Sequence, residues 1–225
     1  MLVCMAVTTA KAQLGYSYSQ YDVGVAAGIN TVHGDAETFT TTPSVHFNFN
    51  YNVSPFVNYV FEIQAGQLKG GDSLTTVSGR QFSNSFTSVM ARVQVQAGEI
   101  IDYSQSQMGN ALKNFYISTG IGFVINHITN INRYSILTPG FYTPGSNNSN
   151  ELLIPARIGY EFKVFNKFDQ PSFKIDLGYQ YNFILGDGLD GYTVGKNNDA
   201  YSQITIGVKF AVGSSTPAYR KQISF

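Results

Sequence analysis

Eight segments of this chain alternate apolar and polar residues with a period of two. Val45, Phe47, Phe49 and Tyr51, for example, are each separated by one polar residue. Such alternation indicates β-strands with two different faces, because successive side chains of a strand point to opposite sides. The segments are about 9 to 13 residues long, which is the span of a tilted strand that crosses a membrane. They lie at residues 21–29, 44–51, 57–66, 89–97, 115–126, 154–163, 173–183 and 201–210.

The two faces of these segments differ in a way that indicates which one is inside. The apolar face has no charged residue in any segment, as a lipid-facing surface requires. The other face has charges of both signs and eight glycines, which suit the narrow interior of an eight-stranded barrel and weaken a strand that faces water. A soluble barrel would have the opposite arrangement. We therefore predict an all-β fold, an eight-stranded antiparallel up-and-down transmembrane β-barrel.

The composition agrees with a membrane barrel but does not by itself exclude a compact soluble β protein. Charged residues make up 12% of the chain and aromatic residues 14%, whereas a soluble domain has about 25% charged residues. No stretch approaches the roughly 18 apolar residues of a transmembrane helix. The 14 basic and 14 acidic residues balance, which argues against a nucleic-acid partner.

The first residues of the chain are typical of an export signal. Residues 1–9 are mostly apolar, and Ala10-Lys11-Ala12 fits the small-x-small cleavage pattern. The basic region that usually comes first is missing, so we expect a start truncated by roughly ten residues. An ordinary frayed terminus is the alternative. Cys4, the one cysteine, lies in this predicted signal peptide, residues 1–12, so no disulfide or cysteine metal site is expected in the mature chain.

The charged residues of the polar face are predicted to fill the barrel with ion pairs rather than to line an ion pathway. Eight strands leave an interior just wide enough for side chains, and a buried charge without a partner costs several kcal/mol. The predicted network comprises Asp22, Glu62, Arg92, Arg157, Glu161, Lys174, Asp176 and Lys209, with Lys163 on the same face.

Five of these residues are expected to form a continuous group near one mouth of the barrel. A short turn joins the segments that contain Glu161 and Ile175, so these two residues are predicted to lie roughly opposite each other. Lys209 is then expected beside Asp176 on one side and Asp22 on the other, and Lys174 completes the group.

Catalytic chemistry is conceivable at the rim of the barrel, but a polar loop explains the same residues more simply. His33-Gly34-Asp35 puts a base and a carboxylate two residues apart, which could support general-base catalysis. His46 and His127 are far from it in sequence, and three scattered histidines do not indicate a metal site. We therefore predict no catalytic, cofactor-binding or metal-binding residues.

Over roughly residues 14 to 212 the pattern resembles the small Gram-negative outer-membrane β-barrel proteins of the OmpA-domain and OmpX type. The last segment looks like the signal by which that family is recognised by the barrel-insertion machinery, with Tyr201, Ile204, Ile206, Val208 and Phe210 as its key residues. In the usual pattern the aromatic residue ends the chain, whereas here 15 residues follow Phe210. The resemblance implies an outer-membrane location and contact with outer-membrane lipid.

The lengths of the connections predict the orientation. Gaps of about 12, 16, 24 and 16 residues alternate with gaps of about 4, 17 and 7, and outer-membrane barrels have long outer loops and short periplasmic turns. Both ends of the barrel segment, residues 13–212, should therefore be periplasmic, and residues 213–225 form a predicted periplasmic tail. The 17-residue gap breaks the rule. Ile101, Met108 and Leu112 within it suggest a short helix, with an elongated hairpin as the alternative.

Three functions are compatible with these features. The first is a structural or assembly-subunit role, with long outer loops for interaction and other outer-membrane subunits as candidate partners. The second is a narrow channel for ions or small solutes. The third, favoured least, is a rim enzyme that acts on lipid or peptide.

Overall fold

The computed structural model describes residues 16–34, 38–74, 76, 78–104, 106–138, 140–167, 171–193 and 198–219. The predicted signal peptide and Asp35 of the histidine motif lie outside the described residues. Among those that are described, no helix is long and apolar enough to span a membrane.

Within the described residues, eight long antiparallel strands form a closed barrel. They are β1 (Tyr16–His33), β2 (Thr42–Asn52), β3 (Val57–Gly71), β4 (Gln81–Gln96), β5 (Phe115–Asn132), β6 (Asn148–Phe165), β7 (Pro171–Ile184) and β8 (Ala200–Tyr219). Each strand pairs with the next one along the chain, and β8 pairs with β1 to close the barrel. A two-residue strand, Phe39–Thr40, pairs with the end of β3. The predicted fold class is confirmed.

The strands are longer than the alternating segments predicted. β1 has 18 residues and β8 has 20, because backbone pairing continues where the outward side chains are no longer apolar. On β5, for instance, the outward residues change from Ile125 to His127 and Thr129 while the pairing with β4 persists. Pairing of β8 with β1 reaches Tyr219, beyond residue 212. The four long connections accordingly shrink to 34–41, 72–80, 133–147 and 185–199.

The outward face forms the apolar belt that the alternation predicted. β2 alternates strictly between buried and exposed residues over most of its length. Outward residues of β2 are apolar and exposed, and the same holds on other strands around the barrel. Examples from six strands are Val25, Phe47, Ile63, Val93, Ile121 and Ile206. The polar residues between them point into the barrel and are buried. The apolar face is thus outside, as a transmembrane barrel requires.

One end of the barrel, here called the turn end, has the short connections and the paired ends of β1 and β8; the opposite end is called the loop end. The connection 97–114 at the turn end has a 3₁₀ turn (Ala97–Glu99) and a helix, α1 (Gln107–Leu112). Ser106 caps this helix by accepting a hydrogen bond from the Gly109 N–H at 3.0 Å. This connection therefore contains the short helix that the sequence suggested, and not an elongated hairpin. Met108 and Leu112 of this helix are exposed.

Candidate functional site

The lumen of the barrel is the candidate functional site, and its content changes along the axis. A layer of ion pairs lies near the turn end, a hydrogen-bonded polar layer lies in the middle, and an apolar layer lies near the loop end. Each layer is built from inward-facing residues of several strands, so the closure of the barrel brings together residues that are distant in sequence.

Lys209 is the centre of the ion-pair layer. Its Nζ lies 2.5 Å from Glu161 Oε1 and 2.7 Å from Asp176 Oδ2. Asp176 Oδ1 in turn accepts hydrogen bonds from Arg157 Nη2 at 2.6 Å and from the Tyr116 hydroxyl at 2.9 Å. All five side chains are buried. The result is a chain of alternating charges that runs from β6 through β8 and β7 back to β6.

A second ion pair lies on the other side of β8. Lys174 Nζ donates to Asp22 Oδ2 at 2.6 Å. The same carboxylate accepts hydrogen bonds from Asn52 Nδ2 at 2.7 Å and from the Ser19 hydroxyl at 2.7 Å. Because Asp22 lies on β1 and Lys174 on β7, this contact crosses the intervening strand β8 inside the barrel.

The structure brings the five predicted residues into one layer but divides them differently. Glu161 pairs with Asp176, so the predicted position opposite Ile175 is wrong by one residue. Lys209 contacts Asp176 as predicted, but its second partner is Glu161, and Asp22 instead contacts Lys174. The layer thus has two groups where a single continuous network was predicted.

The polar middle layer is organised around Glu62. Its Oε2 accepts a hydrogen bond from Arg92 Nη2 at 2.5 Å, and its Oε1 lies 3.1 Å from His46 Nδ1. The Gln64 amide donates to the same carboxylate. A cavity beside these side chains has a volume of about 10 Å³, which is room for about one water molecule.

Glycines on the lumen face provide the space that the charged side chains occupy. A Cβ at Gly178 would lie 2.5 Å from the Arg157 guanidinium carbon, and one at Gly24 would lie 2.8 Å from Lys209 Cγ. Both distances are too short for a real contact, so a side chain at either position would displace Arg157 or Lys209 from its place in the ion-pair layer.

The turn end is closed by a buried aromatic ring. Phe56 lies in the 53–56 turn with no exposed surface. Lys163 Nζ lies 4.8 Å from the centre of the Phe56 ring and donates to the Pro55 carbonyl at 2.7 Å and to Gln96 Oε1 at 2.6 Å. Lys163, which was predicted on the lumen face but not as a member of the ion-pair network, therefore helps to cover this end of the barrel.

The apolar layer near the loop end was not predicted from the sequence. Twelve buried residues form it: Val32, Leu68, Phe82, Phe86, Met90, Val124, Ile128, Leu153, Ile184, Leu189, Tyr192 and Tyr201. Most of them occupy inward positions of strands, several just beyond the alternating segments. The available signal was that apolar residues appear on the otherwise polar face there, as Leu68 and Phe82 do.

Leu189 and Tyr192 come from a loop, residues 185–193, which enters the mouth of the barrel and is called the plug segment. Asn84 Nδ2 donates to the Leu189 carbonyl at 2.7 Å. The Tyr192 hydroxyl accepts from the Gln81 N–H at 2.9 Å and lies 2.8 Å from the Asn132 carbonyl. The segment is therefore bound to the inner wall by its backbone as well as by its side chains.

The three histidines lie apart from one another. His46 is buried in the middle layer, while His127 Nδ1 lies 2.7 Å from Asn148 Oδ1 on the outer surface. The His33 ring stacks on Tyr181 with centres 5.7 Å apart, and its Nε2 lies 3.0 Å from the Ser202 hydroxyl. No group of metal-binding residues occurs in the part of the chain that the structure describes.

The residues of the predicted insertion signal lie on β8 but do not share one face. Ile204, Ile206 and Phe210 are exposed on the outward face, and Val208 on the same face is half-buried. Tyr201 is buried in the apolar layer, with its ring 5.3 Å from that of Phe86. Recognition of this strand by the insertion machinery stays a prediction.

Comparisons with known proteins bear on the fold alone. No family model matches the chain, and no curated protein matches it. Solved structures with a similar fold include Neisserial surface protein A, at 16% identity and a TM-score of 0.49, covering 86% of this chain and 98% of that one. They also include the Yersinia pestis attachment invasion locus protein Ail, at 12% identity and a TM-score of 0.44 with the same coverage. The outer membrane protein AlkL matches at 11% identity and a TM-score of 0.46, covering both chains completely.

The geometry defines the class of protein. A closed eight-stranded antiparallel barrel with an uncharged apolar belt outside and a polar interior is a small transmembrane β-barrel of the kind found in bacterial outer membranes. The resemblance inferred from the sequence thus holds at the level of the fold.

Proposed function

We propose that this protein is a closed outer-membrane barrel with a structural or assembly-subunit role, which holds an interaction surface at the outside of the cell. The observation that carries the proposal is the filled lumen. The ion-pair layer, the middle layer and the apolar layer succeed one another along the axis, and Phe56 and the plug segment cover the two ends. A barrel filled in this way supports a scaffold better than a channel.

The interaction surface is the loop end. Short connections mark the periplasmic side of outer-membrane barrels, so the turn end is assigned to the periplasm and the loop end to the exterior. Residues 134–150 contain no charged residue. Within them Tyr134, Ile136, Leu137, Phe141 and Tyr142 are at least half exposed.

This apolar hairpin lies over the barrel mouth rather than in the lipid belt. The Thr193 N–H donates to the Pro144 carbonyl at 2.9 Å, which joins the hairpin to the last residue of the plug segment. Contiguous apolar side chains that face water usually mark a site of interaction with another protein. The proposed partner is therefore a protein with an apolar surface, either another outer-membrane subunit or an external protein.

The function is tested by the size of the protein after mild extraction from native membranes. We expect the unsubstituted protein to migrate as a complex larger than one barrel on a native gel. Phe141→Asp should release the barrel as a monomer, because it puts a charge in the apolar contact. Leu74→Asp is the matched control, since Leu74 is 88% exposed in another loop. Migration of the unsubstituted protein as a single barrel would contradict the docking role.

A further inference from the structure

Two buried carboxyl groups meet where the plug segment enters the barrel. Asp190 and Asp199 have 0% and 2% of their surfaces exposed. A Cβ built at Gly34 would lie 2.7 Å from Asp199 Oδ1 and 2.9 Å from Asp190 Oδ2. Both oxygens therefore approach the same small volume beside the Gly34 backbone.

Asp199 also holds the plug segment directly, while Asp190 belongs to that segment and stabilises its local turn. Asp199 Oδ2 accepts a hydrogen bond from the Leu189 N–H at 2.9 Å. Asp190 Oδ1 accepts one from the Tyr192 N–H at 3.0 Å. Leu189 and Tyr192 are the two residues that the plug segment contributes to the apolar layer. The hydrogen bond from Leu189 joins the plug segment to the residue that precedes β8, and the seated position of the plug keeps the two carboxyl groups close together.

The surroundings favour a proton on this pair. Burial and the neighbouring carboxylate of Asp190 raise the pKa of Asp199 to about 8, and Asp187 on the same loop acts in the same direction. The hydrogen bond from the Leu189 N–H opposes this change.

Other titratable or charged groups surround the segment. The Arg133 guanidinium donates to the Gly191 carbonyl, and Arg80 lies 5.4 Å from the centre of the Tyr192 ring. Glu151 of β6 lies against Gly186 and Gly188, and His33 precedes Gly34 at the end of β1.

We propose that Asp190 and Asp199 form a proton-dependent latch, which seats the plug segment while the pair holds a proton and releases it from the mouth when both carboxyl groups are ionised. The folded pKa of Asp199 lies above the value of about 3.9 for a solvated aspartate. The stabilisation is therefore fully present below about pH 4 and is lost as the pH rises through about 8. Between these values each pH unit weakens closure by up to about tenfold.

The latch is tested by the accessibility of the plug. Cys4→Ser gives a thiol-free background, in which Leu189→Cys reports on the plug and Leu74→Cys reports on a fully accessible site. A membrane-impermeant maleimide labels both proteins in detergent, and the ratio of the two rates cancels the reactivity of the thiolate itself. We expect this ratio to rise at least tenfold between pH 5 and pH 7. Amide hydrogen exchange at Leu189 and Tyr192 of the unsubstituted protein, corrected for base catalysis, should rise in parallel.

Asp199→Asn separates the latch from a general effect of pH. The amide keeps an oxygen for the Leu189 N–H but cannot ionise, so labelling should stay slow and independent of pH. Asp102→Asn, in the connection at the turn end, is the control and should leave the pH dependence intact. A flat profile in the unsubstituted protein, or an unchanged profile in Asp199→Asn, would overturn the proposal.

Discussion

Lys209→Ala is expected to lower the free energy of unfolding by about 3–5 kcal/mol. Lys209 is the direct partner of both Glu161 and Asp176, at 2.5 and 2.7 Å. Its removal leaves two carboxylates facing each other in a buried layer. Asp176 keeps its contacts with Arg157 and Tyr116, while Glu161 keeps only neutral donors, Gln94 and Gln96, among its described hydrogen-bond partners. Equilibrium unfolding in urea from lipid or detergent measures the loss.

Two further variants show whether that loss comes from stranded charge. Lys69→Ala removes the same side chain at an exposed outward position and should change the unfolding free energy by less than about 0.5 kcal/mol. Glu161→Gln in the Lys209→Ala background should restore part of the loss, because the carboxylate that has lost its ion-pair partner disappears. A double variant that is less stable than Lys209→Ala alone would show that the ion pairs do not set the stability of this layer.

Val93→Arg is expected to cost about 2–4 kcal/mol, because it puts a charge on the lipid-facing side of β4 within its apolar segment, residues 89–97. Val93 is 43% exposed and pairs with Tyr59 on one side and Thr119 on the other. Thr129→Arg is the matched control. Thr129 is also exposed and outward, but it lies beyond the apolar belt, where the cost should be about 0–1 kcal/mol. Urea unfolding in lipid bilayers gives both values, and equal costs would mean that the belt is misplaced.

The barrel could be predicted from the sequence because the alternation is a local signal with a direct structural cause. Along β2, Val45, Phe47 and Phe49 point outward, as their spacing predicted, and the polar residues between them point inward. The absence of charge on one face then determined which side meets the lipid. The ends of strands such as β5 were less visible, because pairing continues past Ile125 without alternation.

The exact pairing of the lumen charges could not be predicted, since it depends on irregularities that leave no pattern. The pairing of β6 with β7 has a register shift between Val164 and Phe165, next to the short turn. A shift of one residue there moves Glu161 from Ile175 to Asp176. The register still put the charges of β6, β7 and β8 in one layer, so the composition of that layer was more predictable than its contacts.

The plug segment was beyond the reach of the sequence for a different reason. Leu189 and Tyr192 lie in a glycine-rich loop, and nothing in their spacing shows that they enter the mouth of the barrel. Gly34 likewise belongs to a motif that suggested general-base chemistry, whereas the structure places it between two aspartates of another loop. Such contacts are produced by the closure of the barrel and become visible only in three dimensions.

Single-barrel conductance in planar lipid bilayers tests the closed lumen most directly. At pH 6 we expect no current steps above the baseline, with a 16-stranded porin as the positive control for insertion. At pH 9 the plug is released, but the ion-pair layer below it remains and the current should stay at the baseline. A steady ohmic conductance at pH 6 would contradict the account, because it would require a continuous water-filled path through the layers of Lys209, Glu62 and Leu189.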